Sequence, residues 1–236
     1  MRVLQEPQIS KEEPCPYLDN RASKQQFFFA LDVKKEEFEF LLEKGWRKFG
    51  LFYFKPECDN CRKCIPLRVL VDQFQIKKSH RRILKKNSDL TIKIRPLKYR
   101  DEIYDLYVKH SKERFVDTPY ASKEFFIDTH FISSTASNMM EYWLDDKLIA
   151  CGFLDYSHIS LSSVYFIYDP DFKKRSLGIF GVLKELELAS EQQLKYYYLG
   201  YWIKENSFMN YKSQFHPFEI FDWKSGIWKE IGKELI

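Results

Sequence analysis

The sequence predicts a mixed α/β (α+β) fold with an N-terminal α/β segment, residues 1–97, and a C-terminal segment, residues 98–236. Short apolar and aromatic runs alternate with amphipathic stretches along the whole chain, which indicates both strands and helices. Hydrophobic residues make up 44% of the 236 residues, enough for a sizeable core without disulfides. Glycine occurs only 8 times and no complete glycine-rich phosphate-binding motif is present, which argues against a nucleotide-binding α/β fold.

The N-terminal segment alternates predicted strands and helices around a cysteine loop. One predicted helix ends at Gly45, and one predicted strand ends at Pro56, because these residue types commonly stop such elements. The predicted strands cover 25–31, 46–56, 67–74 and 90–96, and the predicted helices cover 33–45 and 77–87.

The C-terminal segment shows a different order of elements. Two helices are predicted first, then three antiparallel strands with a tight turn at 145–147, then an amphipathic helix and an aromatic strand. These elements cover 99–115, 122–132, 139–156 (two strands), 158–170, 175–193 and 195–203. This is the order of a GNAT-type acyltransferase domain. Fold analogy alone says little about activity.

Three cysteines, Cys58, Cys61 and Cys64, follow one another at a spacing of three residues. A tetrahedral zinc site or an iron–sulfur cluster needs four ligands, and Cys15 is the other cysteine of the first half. We therefore expect Cys15, Cys58, Cys61 and Cys64 to hold zinc or an iron–sulfur cluster in a structural or regulatory role. The alternative is a set of small packed thiols, and Cys151, within a strand, is expected in the core.

Two basic stretches predict contact with the phosphates of RNA, with a solvated helix face as the alternative. In "KKSHRRILKKN" (77–87) six of eleven residues are basic, namely Lys77, Lys78, Arg81, Arg82, Lys85 and Lys86. The second stretch, Lys173, Lys174 and Arg175, precedes a predicted helix N-terminus, where anions bind well. Arg175 to Gly178 also resemble the start of a coenzyme A pyrophosphate loop, but Phe180 stands where that loop has a small residue.

The absence of an apolar leader and of a long apolar run predicts a cytoplasmic protein, and the net charge of +4 does not by itself indicate nucleic acid. The aromatic strand offers two interpretations. Its tyrosines are either core residues or platforms that stack on the terminal bases of an RNA. These tyrosines are Tyr196, Tyr197, Tyr198 and Tyr201.

Several long motifs occur in one order and together cover most of the chain. They are "CPYL" (15–18), "GWRKFGLFYFKPECDNCRKCIPLRV" (45–69), "DQFQIKKSHRRILKKNSDL" (72–90), "SSVYFIYDPDFKKRSLGIFGVLKELELA" (162–189) and "YYYLGYWIKENSFMNYKSQFHPFE" (196–219). With these motifs the chain resembles the arginyl-tRNA–protein transferase family, and within it the bacterial aspartate/glutamate leucyltransferases. The arginyl branch has a second cysteine near the first, where this chain has Leu18.

The resemblance implies an aminoacyltransferase that moves leucine from Leu-tRNA to the N-terminal Asp or Glu of proteins and so marks them for degradation by the N-degron pathway. The expected partners are Leu-tRNA and such proteins, and neither DNA nor a membrane. No cofactor is required for the chemistry, because the aminoacyl ester is already activated. The alternatives are an arginyl donor, a non-catalytic RNA-binding protein and a coenzyme A-dependent N-acetyltransferase.

Candidate site residues follow from this reaction. Asp169 is the first candidate for a general base or amine anchor, with a turn residue before Pro170 as the alternative, and Glu141 is the second candidate. Arg68 and Lys212 are candidates to bind the acceptor carboxylate. The remaining predicted substrate-binding residues, which include an apolar pocket for leucine, are Phe166, Tyr168, Gly178, Tyr198, Gly200 and Tyr201.

Overall fold

A computed structural model describes residues 1–114 and 120–231. Its α-helices are α1 (Lys35–Glu43), α2 (Lys78–Lys86), α3 (Asp101–Arg114), α4 (Lys123–His130) and α5 (Leu177–Glu191). Its strands are β1 (Arg2–Ile9), β2 (Glu13–Pro14), β3 (Ala22–Ser23), β4 (Gln25–Leu31), β5 (Arg47–Phe49), β6 (Phe52–Pro56), β7 (Ile65–Leu70), β8 (Thr91–Pro96), β9 (Ser137–Leu144), β10 (Lys147–Tyr156), β11 (Ser160–Tyr168), β12 (Tyr196–Trp202), β13 (Phe218–Asp222) and β14 (Ile227–Glu230).

A small antiparallel sheet in the order β1-β4-β6-β5 packs with α1 around an aromatic core. Phe28 stacks on Tyr53 with ring centroids 4.9 Å apart, because alternate residues of β4 face inward. The single strand predicted over 46–56 is wrong: β5 and β6 are separate antiparallel strands. The chain turns between them at Gly50, whose φ of +58° favours glycine.

A large sheet has the order β14-β13-β7-β12-β11-β10-β9-β8. The predicted mixed α/β class is confirmed, and so is the GNAT-like order of two helices, three antiparallel strands, a helix and a strand. Strands β7 and β8, which precede residue 98, pair with strands of the later segment. The division into 1–97 and 98–236 therefore stays a prediction, and the two segments share one sheet.

The centre of the large sheet positions the candidate site. Strands β11 and β12 are its one parallel pair among the described residues, and their register covers only Ser160–Ser162 with Tyr196–Tyr198. Just beyond, β12 has an irregularity at Gly200, whose φ is +82°. The two strands thus stop pairing after Ser162. Helix α5 links them and packs against both.

Two buried contacts tie the small sheet to the large one. Lys48 of β5 forms an ion pair with Asp155 of β10 at 3.0 Å, and both side chains are 3% exposed. Tyr53 shares a hydrogen bond with Ser134 at 2.7 Å. The neighbour of Lys48 along β5, Arg47, is consequently held against the middle of the large sheet. In the described ranges, no helix is both long and apolar enough to cross a membrane.

Candidate functional site

Two buried cations meet over the backbone of Gly200. A Cβ atom at Gly200 would lie 3.5 Å from Lys212 Nζ and 3.7 Å from Arg47 Nη2. Arg47 is on β5 and Lys212 is in the 3₁₀-helix Asn210–Gln214, and their relative exposures are 9% and 7%. Because glycine has no side chain, both cations fit into one small volume at the point where β11 and β12 separate. We call Arg47 and Lys212 the cation pair.

The cation pair is held by neutral oxygen atoms. Arg47 Nη1 donates to Ser162 Oγ at 2.9 Å and Nη2 donates to the Ser163 carbonyl. Lys212 Nζ donates to the Tyr201 carbonyl at 2.7 Å. In residues 1–114 and 120–231, no carboxylate oxygen lies within 4.0 Å of a side-chain nitrogen of Arg47 or Lys212, so neither forms an ion pair. A buried charge without a counterion is costly, so this site is suited to bind an anion.

The protonation of Lys212 responds to this environment. Burial lowers the pKa of Lys212 to about 7, and repulsion from Arg47 and Arg114 adds to the effect. Burial also lowers the pKa of the Arg47 guanidinium. A bound carboxylate or phosphate would favour the charged lysine and raise its pKa again. The arrangement can therefore hold one acidic group in a dry position.

One of the four predicted metal ligands, Cys64, lies near Lys212 of the cation pair. Burial raises the pKa of the Cys64 thiol to about 12, with smaller contributions from Cys15, Cys58 and Cys61, while Lys212 opposes them. Four gathered thiols suit zinc or an iron–sulfur cluster chemically. Among the described residues, however, no group of three or more His, Cys, Asp or Glu is arranged to hold a metal ion. The metal site stays a prediction, and Cys151 is a core residue, as expected.

Asp169 is already paired with two lysines. Its carboxylate lies 2.5 Å from Lys109 Nζ and 2.8 Å from Lys147 Nζ, and it accepts the backbone N–H of Asp171 at 3.0 Å. Burial by itself raises the pKa of Asp169, but these hydrogen bonds outweigh it and leave the pKa below its ordinary value. A carboxylate so stabilised is a weak proton acceptor. The geometry favours the turn role, and the base assignment stays a prediction.

Glu141 is likewise occupied. This fully buried side chain on β9 lies 2.8 Å from Arg100 and 3.3 Å from Arg95, and it accepts from the Trp143 indole at 3.0 Å. Two arginines and an indole stabilise the charge inside the sheet. Its role as a second base also stays a prediction, and its contacts favour a structural function.

Arg68 has a carboxylate of its own. Its Nε lies 2.6 Å from Glu219, its Nη1 donates to the Tyr198 hydroxyl at 2.9 Å, and its guanidinium lies 3.7 Å from the Tyr196 ring centre and 4.3 Å from that of Trp228. This is a closed cation–π cluster. The structure therefore brings Lys212 and Gly200 to the anion site, while Arg68 is committed elsewhere.

The leucine pocket predicted from Phe166 and Tyr198 stays a prediction, and these two residues belong to different core clusters. Phe166 and Tyr168 are half-buried on β11, and the Phe166 ring packs so closely on Gly181 that a Cβ there would lie 2.4 Å from it. Gly178 of α5 has open space around it. Tyr198 and Tyr201 are core residues, as are the other tyrosines of β12, whose exposures are 8% or less. Their burial favours the core interpretation over stacking on RNA bases.

The two predicted basic stretches form one surface. Asn87, at the end of α2, donates to the Arg175 carbonyl at 2.9 Å, and Lys86 donates to the Lys174 carbonyl. At the other end of α2, Lys77 donates to the carbonyl of Gln214, in the helix that carries Lys212, at 2.7 Å. We call this the basic surface; its members are Lys77, Lys78, Arg81, Arg82, Lys85, Lys86, Lys173, Lys174 and Arg175. Arg175 itself is paired with Asp89 at 2.8 Å.

Two buried charged residues near the site were not among the residues predicted from the sequence. Arg47 is one; its only sequence signal is a basic residue between apolar ones in "GWRKFG". Glu185 of α5 is the other: Tyr197 donates to its Oε2 at 2.5 Å, and its Oε1 has no hydrogen-bond partner in the described residues. Burial raises the pKa of Glu185 to about 7. The sequence did carry a signal for Glu185, because an acidic residue on the apolar face of a predicted helix is unusual.

Comparison with known proteins gives consistent descriptions. The model "Arginine-tRNA-protein transferase, C terminus" matches residues 102–222, and the corresponding N-terminus model matches residues 13–82. Proteins named aspartate/glutamate leucyltransferase are similar over most of their length. That of Helicobacter hepaticus is 33% identical over 89% of this chain and 90% of its own. The Alcanivorax borkumensis protein is 36% identical over 92% of this chain and 90% of its own length.

Solved structures give a weaker likeness. The C-terminal domain of an Agrobacterium fabrum protein assigned as a lysylphosphatidylglycerol synthetase superposes with a TM-score of 0.47 and 13% identity, over 75% of this chain and 54% of that one. A likeness of this size carries no argument about function.

Proposed function

The chain belongs to the arginine-tRNA-protein transferase family, and from that premise we propose that it transfers leucine from Leu-tRNA to the N-terminal Asp or Glu of proteins. The names of its relatives support leucine as the donor and acidic residues as the acceptor. The observation that carries the proposal is the cation pair, because two buried cations that form no ion pair with a carboxylate of the described residues match an acidic acceptor side chain.

The reaction needs mainly positioning. The acceptor α-amine attacks the carbonyl carbon of the aminoacyl ester, a C–N bond forms, and the tRNA 3′-oxygen leaves. A free α-amino group has a pKa of about 8, so a useful fraction is neutral near pH 7. If the cation pair holds the acidic side chain, the adjoining amine is fixed in one place, and proximity supplies much of the rate. Asp169 and Glu141 remain the candidate bases.

The donor is proposed to approach along the basic surface. Eight of its nine residues are exposed, and the ninth, Arg175, is half-buried. Cations in one stripe suit the phosphate backbone of an acceptor stem. Because α2 contacts the helix that bears Lys212, phosphates bound there would bring the aminoacyl end towards the cation pair. We also propose a cytoplasmic location, where charged tRNA is found.

A metal tie through the cysteines is part of the proposal. We propose that Cys15, Cys58, Cys61 and Cys64 hold zinc or an iron–sulfur cluster that joins the two cysteine segments. Protein purified without oxygen should then contain zinc or iron, and Cys61→Ser should lower the metal content because one thiolate ligand is lost. If neither metal is found, the cysteines are packed thiols, and the transfer function would be unaffected.

The proposed activity is tested by a matrix of donors and acceptors. Leu-tRNA and Arg-tRNA are each incubated with peptides that begin with Asp, Glu, Lys or Ala. We expect leucine on the Asp and Glu peptides, because the cation pair repels Lys and leaves Ala without a partner. Absence of leucine transfer to the acidic peptides would contradict the proposal and leave the non-catalytic RNA-binding alternative. Transfer of arginine would instead assign the arginyl donor.

The basic surface is tested by the double variant Arg81→Ala/Arg82→Ala. Loss of two phosphate contacts should weaken tRNA binding and reduce the slope of log affinity against log salt concentration by about two. A matched control is Lys35→Ala/Lys44→Ala, which removes the exposed lysines that begin α1 and directly follow it. An unchanged salt slope in the α2 variant would remove this helix from the tRNA interface.

A further inference from the structure

An exposed aromatic ring precedes Lys212 of the cation pair in the sequence. Phe208 is 58% exposed, whereas the tyrosines of β12 that precede it are buried. It lies between β12 and the 3₁₀-helix of Lys212, four residues before that lysine. The ring is therefore accessible to a ligand.

The segment around Phe208 is held in place by contacts at both sides. The backbone N–H of Phe208 donates to Asn206 Oδ1 at 3.0 Å, and Asn206 Nδ2 donates to the Tyr17 carbonyl at 2.9 Å. Lys63 of the cysteine loop forms an ion pair with Glu205. The ring is thus presented by a fixed turn, which lowers the entropy that a ligand must overcome.

A guanidinium lies against the same ring. Arg114, at the end of α3, has its guanidinium carbon 5.3 Å from the ring centre of Phe208. The charge of Arg114 also reaches Lys212, since it contributes to the lowered pKa of that lysine. Phe208 is therefore a π-face beside an electropositive site, which is the combination that single-stranded nucleic acids use: a stacked base and a neighbouring phosphate.

We propose that Phe208 is the stacking platform for the terminal adenine of the donor tRNA, with Arg114 beneath the ring. This inference rests on the proposed function, because it assumes that an aminoacyl-tRNA is the donor. A base seated on Phe208 places the attached ribose and its aminoacyl ester within reach of the helix that carries Lys212. The buried tyrosines of β12 then support the site from below rather than contact RNA.

The test is a binding cycle with two tRNAs, one complete and one lacking its terminal adenosine, and three proteins. For the unaltered protein, removal of the adenosine should weaken binding about tenfold, the size of one base–aromatic stack. Phe208→Ala should weaken binding of the complete tRNA by about the same factor. Removal of the terminal adenosine should then lower the tRNA affinity of this variant little further. Phe208→Trp should keep the wild-type affinity.

The matched control is Phe125→Ala, which removes another exposed phenylalanine, 61% exposed on α4, and should leave both affinities unchanged. Equal losses of Phe208→Ala on both tRNAs, or no loss on either, would overturn the proposal. Weaker binding of Phe208→Ala to a peptide that begins with Asp, with both tRNA affinities unchanged, would assign the ring to the acceptor and also overturn it. Since the cycle measures binding alone, it stays decisive even if the leucine-transfer matrix fails.

Discussion

The cation pair is the constraint on which the rest of the site depends. Arg47 and Lys212 approach each other over Gly200 because that residue has no side chain and takes a positive φ. Carbonyl and hydroxyl oxygens hold the two cations in place, and in the described part of the chain neither cation forms an ion pair with a carboxylate. Desolvated cations of this kind are costly, and an acidic group that enters the site offsets that cost. This electrostatic cost is the reason for the proposal that the site binds acidic ligands.

In the proposed reaction, the surroundings of the cation pair would give it access to both substrates. The parallel strands β11 and β12 stop pairing at Ser162 and Tyr198, and Arg47 bonds to that region of β11. The 3₁₀-helix of Lys212 touches α2 through Gln214, so the basic surface and the cation pair are joined by one short element. Donor and acceptor can therefore meet where the sheet opens, which is how positioning alone can drive a reaction of an activated ester.

Much of the fold follows from local sequence patterns, whereas the site depends on long-range contacts. The strand β4 and the helices α1, α2 and α5 follow from alternation, amphipathic spacing and a glycine stop. Lys212 and the basic surface were predictable from family motifs and charge. Arg47 was not, because its value comes from residues over one hundred positions away. The same holds for Arg68, whose ion pair with the distant Glu219 makes it unavailable for a substrate. Strand β14 was not predicted because it has only four residues.

The central claim is that the cation pair recognises the acceptor carboxylate. It is tested most directly by kcat/KM for leucine transfer to otherwise identical peptides that begin with Asp or Asn, in the unaltered protein and in Lys212→Met. The account predicts at least about a tenfold preference for Asp, the effect of one charge-assisted hydrogen bond, and loss of most of that preference in Lys212→Met. The exposed-lysine variant Lys224→Met should keep it. An Asp preference that is equally strong in Lys212→Met would contradict the account.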